Sequence, residues 1–276
     1  MIDNIMKEID SFQGDISVVI KDLKNDQWLF KYNENEIYSS ASIIKVPIMV
    51  EAFYQVEKGQ LKLDQKIKVR PEDRIKYSIV SDLSLDEYPL IDLISLMIIV
   101  SDNIATNIII DYLGIDNINN TIQDLGFKNT VLHNKIDFKR YDRLGTTTPR
   151  EYGLVFEKIC KEELWSPEIS RQMLSIFKEQ RYNNMLTRAF PQYYLDSEDT
   201  GDEELIYIAS KSGSMDACRN DGGIVSTPYG KYVVAIFTKN FKDPLYYVDH
   251  ESTLFGAKVS RLLFDQYIGL GGRFRL

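Results

Sequence analysis

Three short stretches of this 276-residue chain carry side chains that fit one chemistry: Ser42-Ile43-Ile44-Lys45, Ser101-Asp102-Asn103 and Lys211-Ser212-Gly213. The first pairs a hydroxyl with an amine three residues on. The second adds a hydroxyl and an amide, and the third an amine beside a hydroxyl and a glycine. A serine hydroxyl is a poor nucleophile until a base takes its proton, and the nearest base in sequence is Lys45. On a helix, the i, i+3 spacing puts Ser42 and Lys45 on one face. A first-turn position would also set the Ser42 hydroxyl at the positive end of the helix dipole, and Pro47 is tolerable only near such a start. A free lysine, with a pKa of about 10.4, is protonated and useless as a base. Burial beside a second cation, Lys211, would depress that value and release the amine. The set describes a serine nucleophile that works without histidine. Only His133 and His250 are available, and no G-x-S-x-G elbow is present, which argues against a Ser-His-Asp triad and a His-rich zinc site.

The elements that must position these groups can be read from periodicity. Asp15 to Leu23 and Gln27 to Lys31 form a strand pair around Lys24-Asn25-Asp26, a hairpin signal. Leu205 to Ser212, Gly222 to Ser226 and Tyr232 to Thr238 supply three more strands. Ile91–Val100, Ile104–Tyr112, Ile115–Leu125, Arg150–Lys161 and Ser166–Glu179 carry helical apolar spacing, several of them opening at an Asp, Ser or Pro signal. Ile2, Ile5, Met6 and Ile9 mark an amphipathic N-terminal helix, and Glu251–Tyr267 a closing one. Strands at both ends with helices between predict an α/β (α+β) fold: an antiparallel sheet from the two termini, flanked by helices, with an inserted all-helical lobe. The expected division is a single domain of two lobes, residues 1–60 with 200–276 and residues 61–199, and the active site is expected in the groove between them.

Taken in order, the motifs and their flanks resemble the class A β-lactamases and penicillin-binding proteins, whose signature is S-x-x-K with S-D-N and K-T-G. Ser212 stands in place of the threonine. The flanks that carry the resemblance are Ser40 to Pro47, Ser101 to Asn107, Thr147-Thr148-Pro149 and Asn220 to Ile224, so it runs from about Ile16 to about Lys239. The resemblance implies a β-lactamase/transpeptidase-like fold and a role for each matching residue. Ser42 would be acylated and Lys45 would be its base. Ser101 would relay a proton to the leaving group, and Asn103 would bind the substrate's acyl amide. Lys211 and Ser212 would bind a substrate carboxylate, with Gly213 letting an edge strand approach the acyl group. The backbone N–H groups of Ser42 and Ser214 would form the oxyanion hole. Arg219 has two readings, an extra carboxylate contact or a strand-end surface charge. Asp102 is expected to fix a turn through its backbone.

One departure matters. Class A β-lactamases deacylate with a glutamate shortly before Thr-Thr-Pro, but this chain has no glutamate between Glu87 and Glu151. Asp137 and Asp142 are the carboxylates of that loop, and an aspartate is one methylene shorter, which costs near-attack geometry. Three functions follow from this asymmetry. One is a β-lactamase-related hydrolase with slow deacylation, in which Asp137 is the candidate base. Another is a hydrolase or transpeptidase-like enzyme for a different ester or amide. The third is a penicillin-binding sensor that acylates and stops.

A formal charge of -8 argues against nucleic-acid binding, and a small-molecule substrate with no cofactor and no metal is expected. Cys160 and Cys218 have no metal-like spacing and are expected to be free thiols. No apolar run is long enough to cross a bilayer, and a monomer is expected. The N-terminus lacks a secretory pattern, so the chain reads as cytoplasmic as it stands, or extracytoplasmic if a leader was removed.

Overall fold

The computed structural model describes residues 1–75, 78–137, 144–182, 184–191, 194–195, 206–216, 218–245 and 247–269. In chain order the elements are α1 (Ile2–Ser11), β1 (Asp15–Asp22), β2 (Gln27–Tyr32), β3 (Tyr38–Ser39), α2 (Lys45–Glu57), β4 (Lys66–Lys68), α3 (Ile79–Asp82), β5 (Glu87–Pro89), α4 (Leu90–Ile99), α5 (Asn103–Leu113), α6 (Ile115–Asp124), β6 (Val131–Leu132), β7 (Gly145–Thr147), α7 (Pro149–Cys160), α8 (Pro167–Lys178), β8 (Tyr207–Ser210), β9 (Gly213–Met215), β10 (Cys218–Thr227), β11 (Gly230–Lys239) and α9 (Glu251–Gly269). Single 3-10 turns cover Ala41–Ile44 and Pro71–Asp73. Among the described residues no helix is long and apolar enough to cross a membrane.

The chain divides into two compact units, residues 1–38, 148–157 and 183–276, and residues 39–147 and 158–182. The first is built on an antiparallel sheet ordered β2-β1-β11-β10-β8, with β9 also paired to β10. Seven of the eight residues of β1 are buried, as a central strand with both faces covered requires. Ile16, Val18 and Ile20 join Val234, Ile236 and the apolar stripes of α1 and α9 in one core. The N-terminal half of α7 covers other residues of the same sheet. Gly153 permits this close approach, because a Cβ there would already touch Val233 and Val19 at 3.4 and 3.6 Å. Tyr152 and Phe156 continue the packing, with Tyr152 tilted against Phe237 at a centroid distance of 5.5 Å.

The second unit is helical, with α2 buried among α4, α5, α6 and α8. Residues 39–60, grouped by sequence pattern with the strands, cluster here because Val46, Ile48, Met49, Val50, Ala52 and Phe53 bury nearly the whole circumference of α2. Capping follows the sequence at two starts. Asp102 accepts from the Ala105 N–H ahead of α5, and Ser166 accepts from the Ile169 N–H with Pro167 opening α8. The short pairings β4–β5 and β6–β7 and the strand β9 have no periodic signal in the sequence.

Candidate active site

Ser42 lies in the 3-10 turn Ala41–Ile44 and not in an α-helical first turn, and Lys45 is the first residue of α2. Three residues per turn eclipse side chains at i and i+3, so the tighter helix aligns the two more closely than an α-turn would. The backbone on either side of this chemistry is strained. Ala41 has φ +45° and Ser101 φ +56°, both left-handed non-glycine conformations of the kind that cost about 1 to 3 kcal/mol.

The Lys45 amine is fully buried and closely ringed by oxygen. Ser101 O lies at 2.6 Å, Ser101 Oγ at 2.9 Å and Asn103 Oδ1 at 2.9 Å. The Ser42-x-x-Lys45 and Ser101-Asp102-Asn103 motifs therefore form one connected group within the helical unit. Asp102 holds the second motif in place from behind. Its buried carboxylate accepts from Ser78 Oγ at 2.5 Å, Val80 N at 3.1 Å and Ala105 N at 2.9 Å. The expected turn-fixing role is thus an N-cap that also ties down residues 78–80. Tyr77, beside that segment, lies outside the described residues, while Tyr88 is buried in β5.

Asn107, one helical turn beyond Asn103, ends the Ser101 to Asn107 flank, and its role is visible only in the fold. It donates from Nδ2 to Ile136 O at 2.9 Å and accepts from Ile136 N at 2.8 Å, so α5 grips the main chain next to Asp137. Asp137 itself is exposed, and Asp142 lies outside the described residues.

In the sheet-bearing unit, Lys211 is fully buried and donates to Ser212 O at 2.7 Å. Its N–H pairs with Gly222 O at 3.1 Å, and Tyr152 Oη donates to its carbonyl at 2.5 Å. Burial lowers the Lys211 amine to about 7, against the attraction of Asp221. Gly213 and Ser214 begin β9, with Ser214 in register with Arg219. Arg219 is buried, which removes the surface-charge reading. Its guanidinium donates to Met215 O, to Cys218 O at 3.0 Å, to Pro244 O at 3.3 Å and to Leu245 O at 3.1 Å, and stacks on Phe241. These contacts organise main chain. His250 does the same, with Nε2 against Asp243 O at 2.6 Å and Nδ1 accepting from Ser252 N.

A family model described as the β-lactamase enzyme family matches residues 1–267. The chain belongs to the β-lactamase enzyme family. It is by that membership a serine hydrolase of β-lactamase type, and the three motifs are characteristic of the family. A protein named β-lactamase from Rhodobacter capsulatus is 24% identical over 231 residues, which cover 82% of this chain and 75% of that one. Among solved structures, a β-lactamase from Sphaerobacter thermophilus matches with TM-score 0.83 at 26% identity, over 97% of this chain and 98% of that one. PBP-A matches with TM-score 0.81 at 26% identity, over 97% and 95%. A PBP-A mutant, with 26% identity and TM-score 0.81 over 96% and 94%, was solved as an acyl-enzyme complex with penicillin G. The mixed α/β fold with an antiparallel sheet, read from sequence, is the fold of these neighbours.

Proposed function

We propose that this family member is acylated at Ser42 by a β-lactam and releases the opened product slowly. The observation that carries the reading is the buried Lys45 amine, bound to Ser101 and Asn103 within 2.9 Å and set one 3-10 turn from Ser42. Lys45 takes the Ser42 proton as Oγ attacks the lactam carbonyl. Ser101, which shares a hydrogen bond with Lys45, passes a proton to the departing lactam nitrogen. Asn103 gives its amide oxygen to Lys45, which leaves the Nδ2–H bonds to donate to an acyl-amide carbonyl. Lys211 and Ser212 bind the substrate carboxylate beside Gly213. The Ser42 and Ser214 N–H groups stabilise the oxyanion, each worth on the order of 3 kcal/mol by analogy with other hydrolases.

Deacylation is the weak step. General-base help is typically worth about 10²- to 10⁴-fold, and the usual glutamate is missing while Asp137 is exposed to solvent. A long-lived adduct, as in a penicillin-binding sensor, is the second reading. The acyl-enzyme of the PBP-A mutant with penicillin G is compatible with both readings. Nitrocefin turnover followed together with intact-mass spectrometry tests both. A burst equal to the enzyme concentration and then a slow steady rate supports slow hydrolysis. A permanent adduct supports the sensor. Neither turnover nor an adduct would remove the β-lactam reading in favour of a different ester or amide, and equal labelling of Ser42→Ala would sink the assignment of the nucleophile.

A further inference from the structure

The Lys211-Ser212-Gly213 segment has a support that lies outside the three motifs. Asp221, buried in β10, accepts from three main-chain N–H groups. Oδ2 accepts from the N–H groups of Met185 and Leu186, each at 3.2 Å, and Oδ1 from Gly222 at 2.9 Å. Hydrogen bonds to a charged acceptor are about twice as strong as neutral ones, so this clamp fixes the 185–186 backbone firmly. Leu186 O is also held, by Ser260 Oγ at 2.8 Å, and Met185 fills the space over Gly256. Asn184, the next residue back, is partly buried and points its Nδ2 at Ser212 Oγ, 3.3 Å away.

A hydroxyl has one proton to give and two lone pairs to receive. With one lone pair taken by the Asn184 amide, the Ser212 proton is directed elsewhere, and the donation into Oγ strengthens its own outgoing hydrogen bond. We propose that Asn184, anchored through Asp221, is a positioning residue that commits the Ser212 hydroxyl proton to the substrate carboxylate and so makes this subsite select anionic acyl donors. The inference deepens the proposed function and rests on its assignment of Ser212 to the carboxylate. An aspartate at 184 would reverse the geometry, taking the Ser212 proton and repelling the substrate.

The test is the acylation rate constant, kcat/KM for adduct formation, with benzylpenicillin and with its uncharged methyl ester. Wild type, Asn184→Ala, Asn184→Asp, Ser212→Ala and the Asn184→Ala/Ser212→Ala double variant are compared, with circular dichroism and melting curves as folding checks. Loss of one neutral hydrogen bond predicts about a fivefold to tenfold fall for Asn184→Ala with the acid. The isosteric Asn184→Asp should fall on the order of 100-fold at pH 7. Both should stay within about twofold of wild type on the ester, and Asn184→Ala should add nothing on top of Ser212→Ala. Equal losses on acid and ester, additive losses in the double variant, or wild-type behaviour of Asn184→Asp would overturn the inference while leaving Ser42 acylation standing. A wild-type protein that forms no adduct with either compound would remove the proposed function and this inference with it.

Discussion

Replacing Asp102 by alanine is the most quantitative test of how the second motif is held. The carboxylate is buried and serves three donors, Ser78 Oγ, Val80 N and Ala105 N, in surroundings that give those donors little access to water. Loss of an N-cap costs about 1 kcal/mol. Each further buried donor stripped of a charged partner costs about 1.5 to 3 kcal/mol, partly offset because the carboxylate need no longer be desolvated. The net loss should therefore be about 3 to 5 kcal/mol, a large share of the 5 to 15 kcal/mol typical of a folded protein. At about 2 to 4 °C per kcal/mol for a chain of this size, the melting temperature should drop by roughly 6 to 20 °C. Asp102→Asn keeps the shape but turns one N–H toward another donor, so it should fall between wild type and Asp102→Ala. Urea denaturation followed by circular dichroism measures the first quantity. Native-state hydrogen exchange at the Val80 and Ala105 amides localises it. If Asp102→Ala is within about 1 kcal/mol of wild type, and those amides keep their protection, the N-cap account of Ser101-Asp102-Asn103 is wrong.

Other expectations follow from the same geometry. Because burial lowers the Lys211 amine to about 7, acylation by carboxylate-bearing substrates should decline as pH rises through that value and Lys211 loses its charge. Asp221→Asn, which removes the opposing attraction, should move this limb to lower pH, and an unmoved limb would refute an Asp221 contribution to the Lys211 charge. For stability the sign runs the other way. The unfolded lysine, at about 10.4, holds more protons than the folded one, so this group's contribution to unfolding free energy should rise with pH between about 7 and 10. Tyr152→Phe removes the 2.5 Å hydrogen bond to Lys211 O and leaves a buried carbonyl short of a partner, a loss of about 1 to 2 kcal/mol readable by thermal denaturation. Lys45→Met should abolish adduct formation while the protein stays folded, and acylation at the parent rate would exclude Lys45 as the base.

Much of this protein is written locally. The hairpin Asp15 to Tyr32, the helical stretches from Leu90 to Asp124 and the amphipathic α1 appear where apolar periodicity and capping residues put them, because those signals act within a few residues. Ser42-x-x-Lys45, Ser101-Asp102-Asn103 and Lys211-Ser212-Gly213 are legible for the same reason, since each motif is a short run of fixed side chains. What holds each of them in place is not local. Lys45 meets Ser101 across 56 residues, Asp102 meets Ser78 across 24, and Asp221 meets Met185 across 36. No periodicity marks such partners, since a long-range hydrogen bond is chosen by how whole elements pack and not by spacing along the chain. Arg219 shows the limit most clearly. As a lone arginine at the start of a strand it is compatible with solvent or with a substrate carboxylate. Only the path of β11 and the segment after it surrounds it with the carbonyls of Pro244 and Leu245, and a buried guanidinium must take such acceptors to offset its desolvation. The sequence thus determined which groups could do chemistry, and the tertiary structure decided which of them are held, buried and turned toward one another.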